Sequence, residues 1–295
     1  MRPDRPPGVE EGSIAIDNLK DILVLVISDQ DRSAVELARE LAVLNEAHLS
    51  AVFLEPARDP LLLFEGLDLA YASGAWIGEL PAPARTPPAR QMMHWRFRSM
   101  LKGAVVRERQ CNSTNESEIA VRESRYADVV VLSQPESGQE AGHRQRLVGN
   151  LVLESGRPIL LVPADWTHNC PGKRIVIAWN GGREAVRALA EAQAFLRQAD
   201  QITIVTVEAR RESEGLDKAN RAAQHLSRRG LKSQVCLVAR NGRSAEQALL
   251  DECAALDADL IVMGGYGRSR ISELVFGGVT RGVLRASPVP ILIAH

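Results

Sequence analysis

The chain repeats itself, and the repeat limits the possible folds more than any other feature. Ala34-Val35 and Ala185-Val186 open matching helical stretches at an offset of 151 residues. Ala127-Asp128 and Ala258-Asp259 open matching apolar runs at an offset of 131, and the Ser-x-x-Pro-Ile pattern at Ser155 recurs at Ser287, an offset of 132. Three anchors in one order at nearly constant spacing indicate a duplicated unit. The fall from 151 to 131 gives the first copy about 20 extra residues, which belong in the loosely patterned stretch after residue 55.

Each copy carries five apolar runs of strand length. They are residues 21–27, 48–54, 104–109, 128–132 and 158–163 in the first copy, and 174–179, 201–207, 234–239, 259–263 and 289–294 in the second. Unbroken apolar runs suit parallel strands covered on both faces. Between them, residues 32–45, 116–125, 147–154, 184–196, 214–229 and 244–256 read as helices, and Ser244 with Gln247 occupies capping-box positions. The expected fold class is α/β, with two tandem doubly wound parallel five-stranded sheet domains of Rossmann-like type.

The expected organisation is a Pro-rich mobile lead-in over 1–19, a first domain over 20–163, a linker over 164–173 and a second domain over 174–295. The first domain holds an insertion around 56–95, whose Trp76, Met92, Met93 and Trp95 either pack in the core or line a ligand or subunit contact. The apolar run 289–294 reads as an edge strand, which invites pairing. Pairing the two copies through it would give a pseudo-dimer within one chain, and two chains would then be able to form a homodimer.

Composition narrows the function. A net charge of −1 argues against a nucleic-acid binder driven by bulk charge. No apolar run approaches transmembrane length, and the start MRPDRPPGVEEG has no apolar segment of a secretory signal. The expectation is a cytoplasmic protein without nucleic-acid or membrane partners. Cys111, Cys170, Cys236 and Cys253 form no C-x-x-C pair, and the six histidines show no metal-ligand spacing, so no protein-bound metal is expected. No Ser/His/Asp set and no P-loop lysine is visible, so no catalytic residue is assigned.

The stretch after the second copy's fourth strand carries the chemistry. Gly264, Gly265 and Gly267 follow the strand, and Gly277-Gly278 come after nine intervening residues, ahead of Val279 and Thr280. Glycines between a strand and a helix either turn the chain or let backbone N–H groups and the positive end of a helix approach an anion such as phosphate. In the first copy the same place reads Ser133-Gln134-Pro135-Glu136, whose Pro135 lacks an N–H. Phosphate binding in that half is expected to be lost.

Gly264-x-x-Gly267, nine residues and Gly277 resemble the nucleotide loop of the universal stress protein family, G-x-x-G-x9-G-[S/T], with Gly278 at the Ser/Thr position. The closing Ser-Pro-Val-Pro-Ile-Leu-Ile also resembles that family's last strand. The resemblance implies that the second domain binds ATP or ADP, with or without Mg2+. It implies Val207 at the adenine edge, and Met263 and Gly264 against the ribose. Gly267, Gly277, Gly278, Val279 and Thr280 would donate to the phosphates, with Thr280 replacing the lost hydroxyl. Asn180 stands where the family has an acid near the adenosine, and Asp29 is its counterpart in the first copy. Arg268 and Arg270 either add charge to the phosphates or face water. The function implied is nucleotide-dependent regulation in a stress response through an unidentified protein partner. The alternatives are an interaction module without nucleotide, or a slow ATPase.

Overall fold

The computed structural model describes residues 19–56, 97, 99–112, 115–135, 141–167, 170–208, 213–266 and 278–295. Strands of the first half are β1 (Asp21–Val26), β2 (His48–Pro56), β3 (Val105–Cys111), β4 (Val129–Ser133) and β5 (Ile159–Val162). Those of the second are β6 (Arg174–Ala178), β7 (Gln201–Glu208), β8 (Gln234–Ala239), β9 (Leu260–Gly264) and β10 (Ile291–Ala294). The helices are α1 (Arg32–Asn45), α2 (Glu116–Ser124), α3 (Ala141–Glu154), α4 (Arg183–Glu191), α5 (Gln193–Leu196), α6 (Ser213–Ser227), α7 (Ala245–Ala255) and α8 (Gly278–Ala286).

Among the described residues the ten strands form one sheet in the order β3-β2-β1-β4-β5-β10-β9-β6-β7-β8. Each half therefore has the order 3-2-1-4-5, read inward from its own edge. Every neighbouring pair is parallel except β5 and β10, which run antiparallel with Leu161 opposite Ile291 and Ile159 opposite Ile293. The run expected to be an edge strand thus lies at the centre of the sheet, and its backbone groups are met by the other copy of the same unit. The outer strands are β3 and β8.

Both faces of the sheet are covered. Alternate residues such as Val24, Val131, Ile177 and Val262 pack with α1, α4, α5 and α6, while Leu23, Val130, Val176 and Ile261 pack with α2, α3, α7 and α8. That alternation on a two-sided core is what an unbroken apolar run encodes. On α1 the buried Ala34, Leu37, Ala38 and Leu41 make the single stripe that one covered face requires. The matched serines act alike: Ser155 Oγ accepts from Arg157 N at 3.1 Å, and Ser287 Oγ accepts from Val289 N at 3.3 Å.

Three boundaries differ from the sequence reading. The helix expected over 184–196 divides into α4 and α5 at Ala192, whose ψ is 0°. Helix α3 starts at Ala141 rather than 147, because the polar turn GHRQR lacks the apolar period yet continues the helix. β3 extends to Cys111. The insertion around 56–95, with Trp76, Met92, Met93 and Trp95, lies outside the described residues, apart from Pro56.

Candidate functional site

In an open parallel sheet, ligand crevices form at the carboxyl ends of strands where the order switches. In the second half that switch lies between β6 and β9. Ala178 on β6 is in register with Met263 on β9 and with Val205 on β7. Asn180 lies two residues beyond Ala178, Val207 two beyond Val205, and Gly264 directly after Met263. Four expected site residues therefore stand at one end of three adjacent parallel strands. Gly278, Val279 and Thr280 form the first turn of α8, where Gly278 and Val279 are exposed. That helix is anchored by Val283 and Leu284, buried in the same cluster as Met263. Gly267, Gly277, Arg268 and Arg270 lie outside the described residues.

Local geometry explains several residue types without a ligand. Asn180 Oδ1 accepts from Gly182 N at 2.8 Å, which turns the chain and leaves the amide nitrogen as its donor. Gly181 has φ +72°, and a Cβ there would also lie 3.0 Å from Lys218 Cδ. A Cβ on Gly264 would fall 2.5 Å from the backbone N of Ala185, so α4 itself excludes a side chain at this position. A Cβ on Gly265 would meet Ile293 at 2.8 Å and Val152, from α3 of the other half, at 3.0 Å.

A cluster the sequence reading missed surrounds Gly265. His295 Nδ1 lies 3.0 Å from the Gly265 carbonyl, and its Nε2 lies 3.4 Å from an Arg183 guanidinium nitrogen. Arg183 Nε donates to Glu184 Oε1 at 2.6 Å. Burial alone would raise the Glu184 carboxyl, but the Arg183 hydrogen bond, a backbone N–H and the Arg183 charge bring it below the usual carboxylate value. Tyr266 follows with φ +62°, and burial pushes its phenol far above the ordinary range. No spacing rule joins positions 183, 265 and 295; only the fold does.

The corresponding place in the first half is filled by the chain's own charges. Asp31, fully buried, accepts from the backbone N of Ile27 at 2.7 Å and of Ser28 at 2.9 Å. The Arg144 guanidinium lies 2.5 Å from Asp31 Oδ1 and 3.0 Å from Ser28 Oγ. The buried acid at the end of β1 is therefore Asp31; Asp29, the expected counterpart of Asn180, is exposed. At the helix offset of 151, Asp31 corresponds to Gly182.

Among the described residues no group of three or more His, Cys, Asp or Glu is arranged to hold a metal, and no helix is long and apolar enough to cross a membrane.

The Universal stress protein family model matches residues 172–295. Universal stress protein Slr1230 of Synechocystis sp. is 27% identical over 171 residues, which cover 56% of this chain and 57% of the relative. The matched region thus spans less than two thirds of that relative's length. A universal stress protein crystal structure from Archaeoglobus fulgidus matches 92% of this chain and 97% of its own with TM-score 0.60 and 15% identity. A putative universal stress protein from Pseudomonas aeruginosa matches 95% and 94% with TM-score 0.56 and 16% identity. At such identities these two likenesses speak for the two-unit α/β fold alone. The C-terminal unit, residues 172–295, is therefore the part of the chain that is similar to the Universal stress protein family.

Proposed function

We propose that the chain binds ATP or ADP, with or without Mg2+, in its C-terminal unit and acts as a nucleotide-dependent regulator in a stress response. The observation that carries this reading is the contrast between the two switch points. In the first half a buried carboxylate and guanidinium, Asp31 and Arg144, pair at the end of β1. In the second half Gly182 replaces that carboxylate, and Asn180, Val207, Met263 and Gly264 gather at the strand ends. Gly267, Gly277, Gly278, Val279 and Thr280 complete the site as phosphate donors in this reading.

The unit over 174–295 is the binding unit. The unit over 20–163 is its degenerate partner in a pseudo-dimer, joined by the linker 164–173. Two chains associate as a homodimer in the cytoplasm and signal through a regulatory protein partner. Any ATP hydrolysis is slow, since no general base is assigned. Mass spectrometry of small molecules released from purified protein on denaturation tests the reading. An adenine nucleotide is expected; its absence, together with no thermal shift at millimolar ATP, contradicts it.

One observation favours a second reading, an interaction module without nucleotide. Gly264 and Gly265 are required by internal packing, and Gly278 removes a hydroxyl. Equal thermal responses of wild type and Gly267→Val to ATP would support that module.

A further inference from the structure

We propose that His295 is a positioning residue of the nucleotide site, holding the strained turn from which the glycine-rich loop departs; this rests on the nucleotide reading above. A carbonyl oxygen only accepts and an arginine only donates. The contacts to Gly265 O and Arg183 are therefore met together by one neutral form, with the proton on Nδ1 and Nε2 accepting. Arg183 is held in turn by Glu184, whose carboxyl is mostly buried. The imidazole thus ties β10 and the first turn of α4 to a single peptide group.

That peptide group begins the loop. Because an amide is planar and trans, fixing the Gly265 carbonyl also fixes the direction of the Tyr266 N–H on its opposite side. Gly265 N donates to Ala294 O at 2.9 Å, so both backbone groups of residue 265 are bound to consecutive residues, 294 and 295. The next residue, Tyr266, adopts a left-handed conformation that disfavours a side chain. Such a conformation persists only where its surroundings determine it. Here Ile293 and Val152 close on Gly265, and His295 supplies the directional bond.

The experiment pairs 15N NMR of the His295 ring at about pH 8 with ATP titration calorimetry of the full chain. Wild type is expected to carry the proton on Nδ1, and Arg183→Met to keep it there, because the Gly265 carbonyl only accepts. His295→Ala is expected to weaken ATP binding about tenfold, the effect of one lost hydrogen bond. His295→Asn, which keeps a donor near the Nδ1 position, stays within about twofold of wild type. It serves as the folded control if the alanine variant loses structure by circular dichroism. A proton on Nε2 in wild type, or ATP binding unchanged in His295→Ala, overturns this proposal alone. No ATP binding by wild type overturns it together with the nucleotide reading.

Discussion

Asp128 and Asp259, 131 residues apart, perform the same task in the two halves. Asp128 Oδ2 accepts from the backbone N of Lys20 and Asp21 at 2.7 and 2.9 Å. Asp259 accepts from the backbone N of Gly172, Lys173 and Arg174, each at 3.0 Å. Each carboxylate, placed just before the fourth strand of its half, closes the start of the first. The duplication therefore extends from the order of elements to individual hydrogen bonds, and it excludes Asp259 from the opposite, carboxyl end of the strands where the proposed site lies.

Asp259→Ala is expected to destabilise the protein by about 2 kcal/mol, since charge-assisted bonds to three backbone donors are lost. Asp128→Ala, losing two, is expected to cost less. Urea denaturation measures both, and the nucleotide affinity of either folded variant should remain that of wild type.

Removing one member of the buried pair in the first half is expected to cost more. Asp31→Asn or Arg144→Met leaves a buried charge without its partner, with a penalty of about 3–5 kcal/mol. Replacing both at once should recover much of that loss. Denaturation midpoints of the singles and the double test this. A double variant as unstable as the sum of the singles contradicts it.

Gly264→Ala tests the packing argument separately from any ligand. The new Cβ would overlap backbone atoms of Glu184 and Ala185, which are less free to move than a side-chain end. Destabilisation of about 3 kcal/mol is expected. A thermal melt in the absence of nucleotide measures it, and an unchanged midpoint would show that α4 yields easily.

The buried Glu116 gives the protein a dependence on pH. Its carboxyl lies 2.6 Å from His143 Nε2, but burial raises its pKa despite that neighbour and Arg144. A carboxyl raised in the folded state contributes stability below its unfolded value, about 4.3, and loses it as pH rises through the folded value. Glu116→Gln, which stays neutral, should therefore gain on wild type as pH rises above about 4.3. Midpoints across that range decide it. Wild type gaining instead would show that the His143 pair outweighs burial.

The sheet was legible because its strands are covered on both faces, so runs such as 129–133 and 260–264 are unbroken apolar text. The duplicated anchors then located each strand's twin; the run at 289–294 was expected as an edge strand that invites pairing, and its antiparallel partner β5 came only from the fold. The charged sites were not legible in the same way. Arg144 lies in a polar helical turn without periodicity, and Asp31 differs from Asp29 only in which way its carboxylate points. His295, Arg183 and Gly265 meet across more than a hundred residues of chain in one case and thirty in another. Periodicity encodes burial; it carries no information on such meetings.

Titration calorimetry with ATP, on wild type and on Gly267→Val, tests the central claim most directly. The expected result is saturable binding to wild type and a loss of at least about tenfold in the variant, whose side chain obstructs close approach of the backbone to phosphate. Equal heats for the two proteins, or no binding to wild type at millimolar ATP, would contradict a nucleotide site in the C-terminal unit.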